Sequence, residues 1–319
     1  MQGLQNLGST CAINSLIQII CRTQKLRDTI LLRDLPSEAI LANELKEILT
    51  LMHINNKSLI PHKFINVLYN EFEGIFRKGE QIDIGELWIF LFDKIATELS
   101  IKNEKNHIIT QIKLRDECNS IMRKFNNNKT SKWLESSQGI IVNIIKCHNC
   151  ENIAYNFEPF TSISIDIFNE NTPPVIEMLK DYLCSEERLA DVWKCEKCLQ
   201  CSNYTKTVKI WRAPDILVLI VKRFINEYQK NINPIKINKS ISFVNGSILD
   251  EESDVNYKLS SIGMHYGILQ GGHYTAICNM CDGTYINYDD LNVTKNNESE
   301  IEELFESNRY AYMIVYERI

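Results

Sequence analysis

The sequence predicts an α+β protein with a helical first part and a strand-rich second part. Up to about residue 130, apolar residues recur at helical spacing. From about Gln138 the segments become β-branched and partly alternating. The 319 residues are 44% apolar, enough for one large core or two smaller ones. No internal repeat or low-complexity linker interrupts them.

Taken in chain order, Ile13, Leu16, Ile17 and Ile20 predict an amphipathic helix, with Thr10 placed to cap it. Ile84, Leu87, Trp88, Leu91, Phe92 and Ile95 predict another. Asn126, Asn127, Asn128 and Lys129 mark a polar break. GIIVNIIKC, FTSISIDIF, VKIWRAPDILVLIVKRF, YKLSSIGMHYGIL, GGHYTAICNM and YAYMIVYERI then read as strands. The stretch from Cys278 to Gly283 suits a hairpin turn between Tyr274 and Tyr288. A groove between a helical and a β-rich lobe is a natural place for a site.

The formal net charge of -6 disfavours a nucleic-acid binder, which usually shows a basic face. Apolar runs such as Ile216 to Val221 are strand-sized, so membrane insertion is not expected. The N-terminus lacks the basic and apolar regions of a secretory signal. We therefore expect a cytoplasmic or nuclear protein whose eleven cysteines are mostly reduced.

Cys11 falls at the start of the first predicted helix, after a Gly8-Ser9-Thr10 turn. Partial positive charge and unpaired N–H groups at a helix start favour a thiolate. The Asn6 amide and the Cys11 N–H would supply two donors to an oxyanion. The competing reading is a small buried core residue. His273 precedes one strand and Asp289 ends the next, so a tight hairpin sets them side by side. The carboxylate then orients the imidazole, leaving one nitrogen for the thiol. Gly271 and Gly272 let backbone pass close to a substrate. Among six histidines His265 competes as base, and Asp290 competes with Asp289. Adjacent strand residues face opposite ways, and the hairpin register favours Asp289.

Cys147-His148-Asn149-Cys150 and Cys195-Glu196-Lys197-Cys198 are two knuckles that together supply four thiolates, the donor set of a structural zinc site. Cys201 offers an alternative pair with Cys198, and His148 lies inside the first knuckle. Cys278 and Cys281 have the same spacing in a hairpin context that suggests coincidence. The plain alternative is four separate reduced cysteines.

These motifs have a family likeness. GLQNLGSTCAINSLIQ resembles the cysteine box of the ubiquitin-specific proteases, and GMHYGILQGGHYTAI with YINYDD resembles their histidine box. EQIDIGELWIFLFDKI is similar to the segment that usually reads QQDxxEF. KCHNCENIAYNFEPFTSISIDI and WKCEKC resemble the zinc-knuckle strands, and VKIWRAPDILVLIVKRF and YAYMIVYER the strands that follow. The likeness begins at the first residues, which suggests a bare catalytic domain.

The resemblance implies a papain-like architecture in a single catalytic domain over 1–319. A helical thumb would span about 1–137, zinc-bearing fingers about 138–210 and a β-rich palm about 211–319. It implies Cys11 as nucleophile, His273 as base, Asp289 as orienter and Asn6 as oxyanion donor. It implies a structural zinc ion on Cys147, Cys150, Cys195 and Cys198, and no organic cofactor. Ubiquitin and ubiquitinated proteins are the implied partners of a monomer. Gln81, Asp83, Gly271, Gly272 and Tyr274 would line the channel for ubiquitin's tail, Asp83 receiving an arginine. Ser9, Ala12, Ile82 and Gly85 depart from the family pattern and reshape that channel. The rival readings are a ubiquitin-binding scaffold, a protease for a ubiquitin-like modifier, and a general papain-like peptidase.

Overall fold

The computed structural model describes residues 2–54, 58–102, 113–168, 172–184, 186–189, 193–200, 203–226, 228–250, 252–268, 271–280 and 282–319, with backbone alone for 187–189. The first lobe is built from α1 (Cys11–Arg22), α2 (Gln24–Leu31), α3 (Ile40–Ile54), α4 (His62–Glu71) and α5 (Ile84–Leu99). Asp83 caps α5, its Oδ1 accepting from the N–H groups of Gly85 and Glu86 at 2.9 Å. A short pair, β1 (Ile101–Lys102) and β2 (Lys129–Thr130), flanks α6 (Lys113–Phe125), and α7 (Lys132–Ser137) follows. At the predicted polar break, Asn127 and Asn128 take left-handed backbone, which asparagine tolerates.

The strands are β3 (Gly139–Cys147), β4 (Ile153–Phe160), β5 (Ile163–Ile165), β6 (Glu186–Leu189), β7 (Tyr204–Arg212), β8 (Ile216–Val221), β9 (Ser240–Phe243), β10 (Val255–Ile268), β11 (Gly271–Asn279), β12 (Tyr285–Asp289), β13 (Asn292–Lys295) and β14 (Ala311–Arg318). Helix α8 (Val175–Cys184) lies between β5 and β6, and α9 (Glu298–Glu306) between β13 and β14. The larger sheet runs β13-β12-β11-β10-β14-β8-β5, with β9 paired to β10; the smaller runs β4-β3-β7-β6.

Strand β8 shows why the larger sheet sits in the middle of the molecule. Ile216, Val218 and Ile220 join the core of the helical lobe, while Leu217, Leu219 and Val221 join a second core with α8. Every residue of β8 is apolar because both faces are covered. Strand β5 and helix α8 pack in this second core, although they lie within the 138–210 stretch expected to form fingers.

Helix α1 is buried more completely than its amphipathic pattern predicts. It is buried from Cys11 to Cys21, polar Asn14, Ser15 and Gln18 included. The reason is its position, packed against the helical lobe on one side and β10, β11 and β12 on the other. Buried amides need partners. Asn14 Nδ2 donates to Asp290 Oδ1 at 2.8 Å and Gln18 Nε2 to the Gln2 carbonyl at 2.8 Å. No helix among the described residues is long and apolar enough to cross a membrane.

Candidate active site

The turn before α1 is wound around one side chain. Asn6 Oδ1 accepts from the N–H of Gly8 at 2.9 Å and from the N–H and hydroxyl of Thr10 at 3.2 Å. The backbone passes through Gly8 at φ 97° and Ser9 at φ 54°, a reversal that glycine makes at no steric cost. Ser9 Oγ anchors the turn by donating to the Gly79 carbonyl at 3.0 Å. Thr10 occupies the N-cap position, but its side chain makes no cap bond to α1. Its hydroxyl is spent instead on Asn6 and on the Leu7 N–H.

Cys11, at the first position of α1, is 1% exposed. Burial pushes its thiol pKa up. The N–H of Tyr274 pulls it down, the Asp290 carboxylate raises it again, and the N–H of Ala12 pulls down. The Tyr274 contact brings His273, the preceding residue of β11, close to Cys11.

Strands β11 and β12 pair in the register Ala276↔Tyr288, which brings the start of one beside the end of the other. His273 Nε2 lies 2.6 Å from Asp289 Oδ1, both side chains being about 40% exposed (40% and 41%). The carboxylate accepts, so Nε2 carries hydrogen and Nδ1 is left as the acceptor. Among the described residues no hydrogen bond joins Cys11 to His273.

Strand alternation would send Asp290 to the opposite face from Asp289. It does not, because β12 ends at Asp289 and Asp290 is left-handed at φ 50°. His273, Asp289 and Asp290 therefore cluster within 4.8 Å. The two acids hold different things. Asp290 Oδ2 accepts from Asn6 Nδ2 at 2.9 Å, its Oδ1 from Asn14, and its carbonyl from the Leu4 N–H at 2.8 Å. Asp290 thus ties the Asn6 turn, α1 and the end of β12 together. Asn14 was missed in the sequence; its only signal was a polar residue interrupting an apolar helical face.

The other expected site residues are more scattered in role. Asp83 caps α5 and also accepts from Tyr274 Oη at 3.2 Å and from the Tyr312 hydroxyl. Both of its oxygens are thus engaged within the chain, so an arginine would have to share them. Gln81 is half-buried just ahead of this cap. Gly271 and Gly272 open β11. His265 is 1% exposed, and burial, with Lys230 and His273 nearby, pushes its pKa down to about 3. Its Nδ1 faces Lys230 at 2.8 Å.

The zinc candidates converge at the end of the smaller sheet. Cys147 and Cys198 sulfurs are 3.9 Å apart, Cys150 and Cys195 sulfurs 3.6 Å, and all four lie within 4.8 Å of one another. Bonds of ~2.3 Å to a tetrahedral ion set sulfurs about 3.8 Å apart, so the set fits zinc. The N–H of Cys198, then that of Lys197, hold the Cys195 thiol below its ordinary pKa despite its burial. His148 turns away, its Nε2 meeting Thr205 Oγ1 at 2.5 Å. Cys201 and Cys281 lie outside the described residues.

Comparison with known proteins agrees with this arrangement. The family model described as ubiquitin carboxyl-terminal hydrolase matches residues 2–316. The chain is 27% identical to ubiquitin carboxyl-terminal hydrolase 2 of Bos taurus, covering 99% of this chain and 55% of that protein. It is 25% identical to ubiquitin carboxyl-terminal hydrolase 4 of Saccharomyces cerevisiae, covering 99% and 39%. The chain thus spans about half the length, or less, of these relatives. Among solved structures, one of the SAGA DUB module, with a Ubp8 variant, Sgf11, Sus1 and Sgf73, bound to monoubiquitin, shares the fold. It has a TM-score of 0.73 at 20% identity, covering 100% of this chain and 69% of that one. A yeast SAGA DUBm structure with an Sgf73 mutant gives 0.75 at 22%, covering 100% and 68%. With the Cys11 turn, a His–Asp pair and a four-cysteine cluster on this fold, and a family model matched over residues 2–316, the chain belongs to the ubiquitin carboxyl-terminal hydrolase family.

Proposed function

We propose that this chain is a thiol-dependent deubiquitinase that cleaves the bond after the C-terminal glycine of ubiquitin, with Cys11 as nucleophile, His273 as base and Asp289 as its orienter. The observation that carries this reading is the convergence of remote residues. The N–H of Tyr274 reaches the Cys11 sulfur, and the adjacent His273 is held by Asp289 at 2.6 Å.

In this scheme His273 Nδ1 takes the proton from Cys11, and the sulfur attacks the carbonyl carbon of ubiquitin's last glycine. One Asn6 N–H is committed to Asp290; the other, with the Cys11 N–H, meets the oxyanion. Collapse breaks the carbon–nitrogen bond, and His273 returns its proton to the leaving amine. Water then gives a proton to His273 and attacks the thioester, releasing the acid and restoring the thiol. Sulfur and imidazole share no hydrogen bond among the described residues, a gap of the kind that tightens when substrate binds.

Gln81, Gly271, Gly272 and Tyr274 are the residues we assign to the tail channel, with Asp83 bracing Tyr274 rather than standing free for an arginine. Cys147, Cys150, Cys195 and Cys198 would hold a zinc ion, which would supply a structural cross-link between the β3–β4 and β6–β7 connections at one end of the smaller sheet. The burial of Cys11 favours one second reading, a scaffold that holds ubiquitin without cutting it. Turnover of ubiquitin bearing a fluorogenic amide at its C-terminus separates the two. Hydrolysis by the wild type, and loss with Cys11→Ala, is expected; binding without any hydrolysis by the wild type overturns the enzymatic reading.

A further inference from the structure

Behind the start of β11 lies a cationic cluster that the scheme above does not use. Arg223, 0% exposed, follows β8 and donates only to backbone carbonyls among its described bonds. Nε reaches Ala311 at 2.6 Å, Nη1 reaches Asn231 and Asn233 at 3.0 Å, and Nη2 reaches Asn308 at 3.1 Å. It thereby fixes the segment carrying Lys230. The Lys230 ammonium donates to the His265 carbonyl at 2.5 Å and meets His265 Nδ1 at 2.8 Å. The Phe224 ring lies beside both, 5.1 Å from the imidazole and 5.8 Å from the ammonium.

An ammonium has three donors and no acceptor, so the facing Nδ1 must offer its lone pair. His265 is therefore held as the neutral tautomer protonated at Nε2. That nitrogen packs on Gly272: a Cβ there would come within 2.1 Å of it. The same ring lies 4.5 Å from the Tyr274 ring. His265 thus touches the residues on both sides of His273. The requirement for glycine at 272 follows from this contact and from the Tyr266 carbonyl, which a Cβ would meet at 2.6 Å, rather than from its φ.

We propose that Lys230 and His265 are a positioning pair, Lys230 fixing the His265 tautomer so that the imidazole braces Gly272 and Tyr274 and holds His273 in register with Cys11. This deepens, and rests on, the assignment of His273 as base. The groups facing Lys230 are Arg223 and Phe224 on its own segment and His265 on β10; around His265 and Phe224 in turn lie His273 and Tyr274 on β11 and Tyr312 on β14, with Asp83 beyond the two tyrosines. Burial, then the Arg223 charge, pushes the Lys230 pKa down to about 8. Above that pH the neutral amine can accept as well as donate, and the tautomer is released.

The test compares Lys230→Met and Lys230→Arg with the wild type in turnover of the fluorogenic ubiquitin amide across pH, alongside NMR of labelled histidines. The His265 signals are assigned by their loss in His265→Gln. Misplacing a reacting group by about 1 Å can cost roughly a hundredfold, so a lesser shift of the base is set at roughly tenfold. Lys230→Met should therefore lower kcat about tenfold or more with KM within about threefold. Lys230→Arg should restore kcat to within about threefold, and move the alkaline limb up by about one pH unit or more, because guanidinium stays charged. His265 should show hydrogen on Nε2 in the wild type and a tautomer mixture in Lys230→Met. Full kcat in Lys230→Met, or an unchanged tautomer, overturns the proposal. So does a loss that tracks the melting temperature and is not rescued by arginine. A wild type that hydrolyses nothing sinks the functional reading instead, and the tautomer spectra still decide the pair.

Discussion

The four-cysteine cluster and the Cys11–His273–Asp289 cluster are assembled by opposite means. The first draws two pairs from two tight knuckles, with Cys147 sulfur 3.9 Å from that of Cys198, Cys150 sulfur 3.6 Å from that of Cys195, and backbone N–H groups beside Cys195. Four thiols so close are repulsive once ionised, a repulsion that a bound cation would relieve. The second draws single residues from α1, β11 and β12, held by hydrogen bonds within the chain. A spacing motif in the sequence can specify the first. Only the whole sheet can specify the second.

The widest gap between them should appear on removing the proposed nucleophile. Cys11→Ala is expected to cut kcat by about 10⁴-fold or more at unchanged melting temperature, since the sulfur's only described partners are N–H groups. Cys195→Ser should do the reverse: a lower melting temperature and lost zinc stoichiometry by metal analysis, with residual activity in whatever fraction folds. Equal damage to turnover and melting in both variants would erase the contrast.

The two aspartates sharpen it next. Asp289→Ala frees the His273 imidazole and should cost roughly 10²- to 10⁴-fold in kcat. Asp290→Ala unties Asn6 and Asn14 together and should cost about 10²-fold, the scale of losing one oxyanion donor, with some loss of stability. Steady-state kinetics and thermal melts on both variants check the ranking.

The smallest effect concerns the resting thiol. Burial and then Asp290 raise its pKa and the Tyr274 N–H only partly offsets this, so Cys11 stays protonated near neutral pH. Its alkylation by iodoacetamide should climb with pH to a midpoint above the ordinary thiol value of roughly 8.5. A midpoint at or below that value would contradict burial as the dominant influence.

The sequence disclosed these regions unequally, for physical reasons. The cysteine spacing announced the knuckles, and the apolar run Ile216–Val221 announced a strand, whose cover on both faces came from the structure. The expected adjacency of His273 and Asp289 followed from hairpin register, which is local. Asp290 was misjudged as facing away because its left-handed φ is invisible to a period-two argument. Thr10 was misjudged as a cap because its hydroxyl is recruited by Asn6, a contact set by the Gly8–Ser9 reversal. The anchoring of Asp83 by Tyr274 and Tyr312 spans three distant segments, which no spacing rule connects. The Lys230–His265 pair likewise joins residues brought near only by the pinned segment after β8.

The central demand is that a sulfur buried at the start of α1 becomes accessible to a glycine-ended tail with His273 beside it. Incubating the protein with ubiquitin carrying a C-terminal electrophile, followed by peptide mapping, measures this directly. Our account predicts a covalent adduct on Cys11, lost in Cys11→Ala and slowed in Asp289→Ala, with little labelling by probes built on ubiquitin-like proteins. An adduct on another cysteine, or none while ubiquitin still binds, would contradict it.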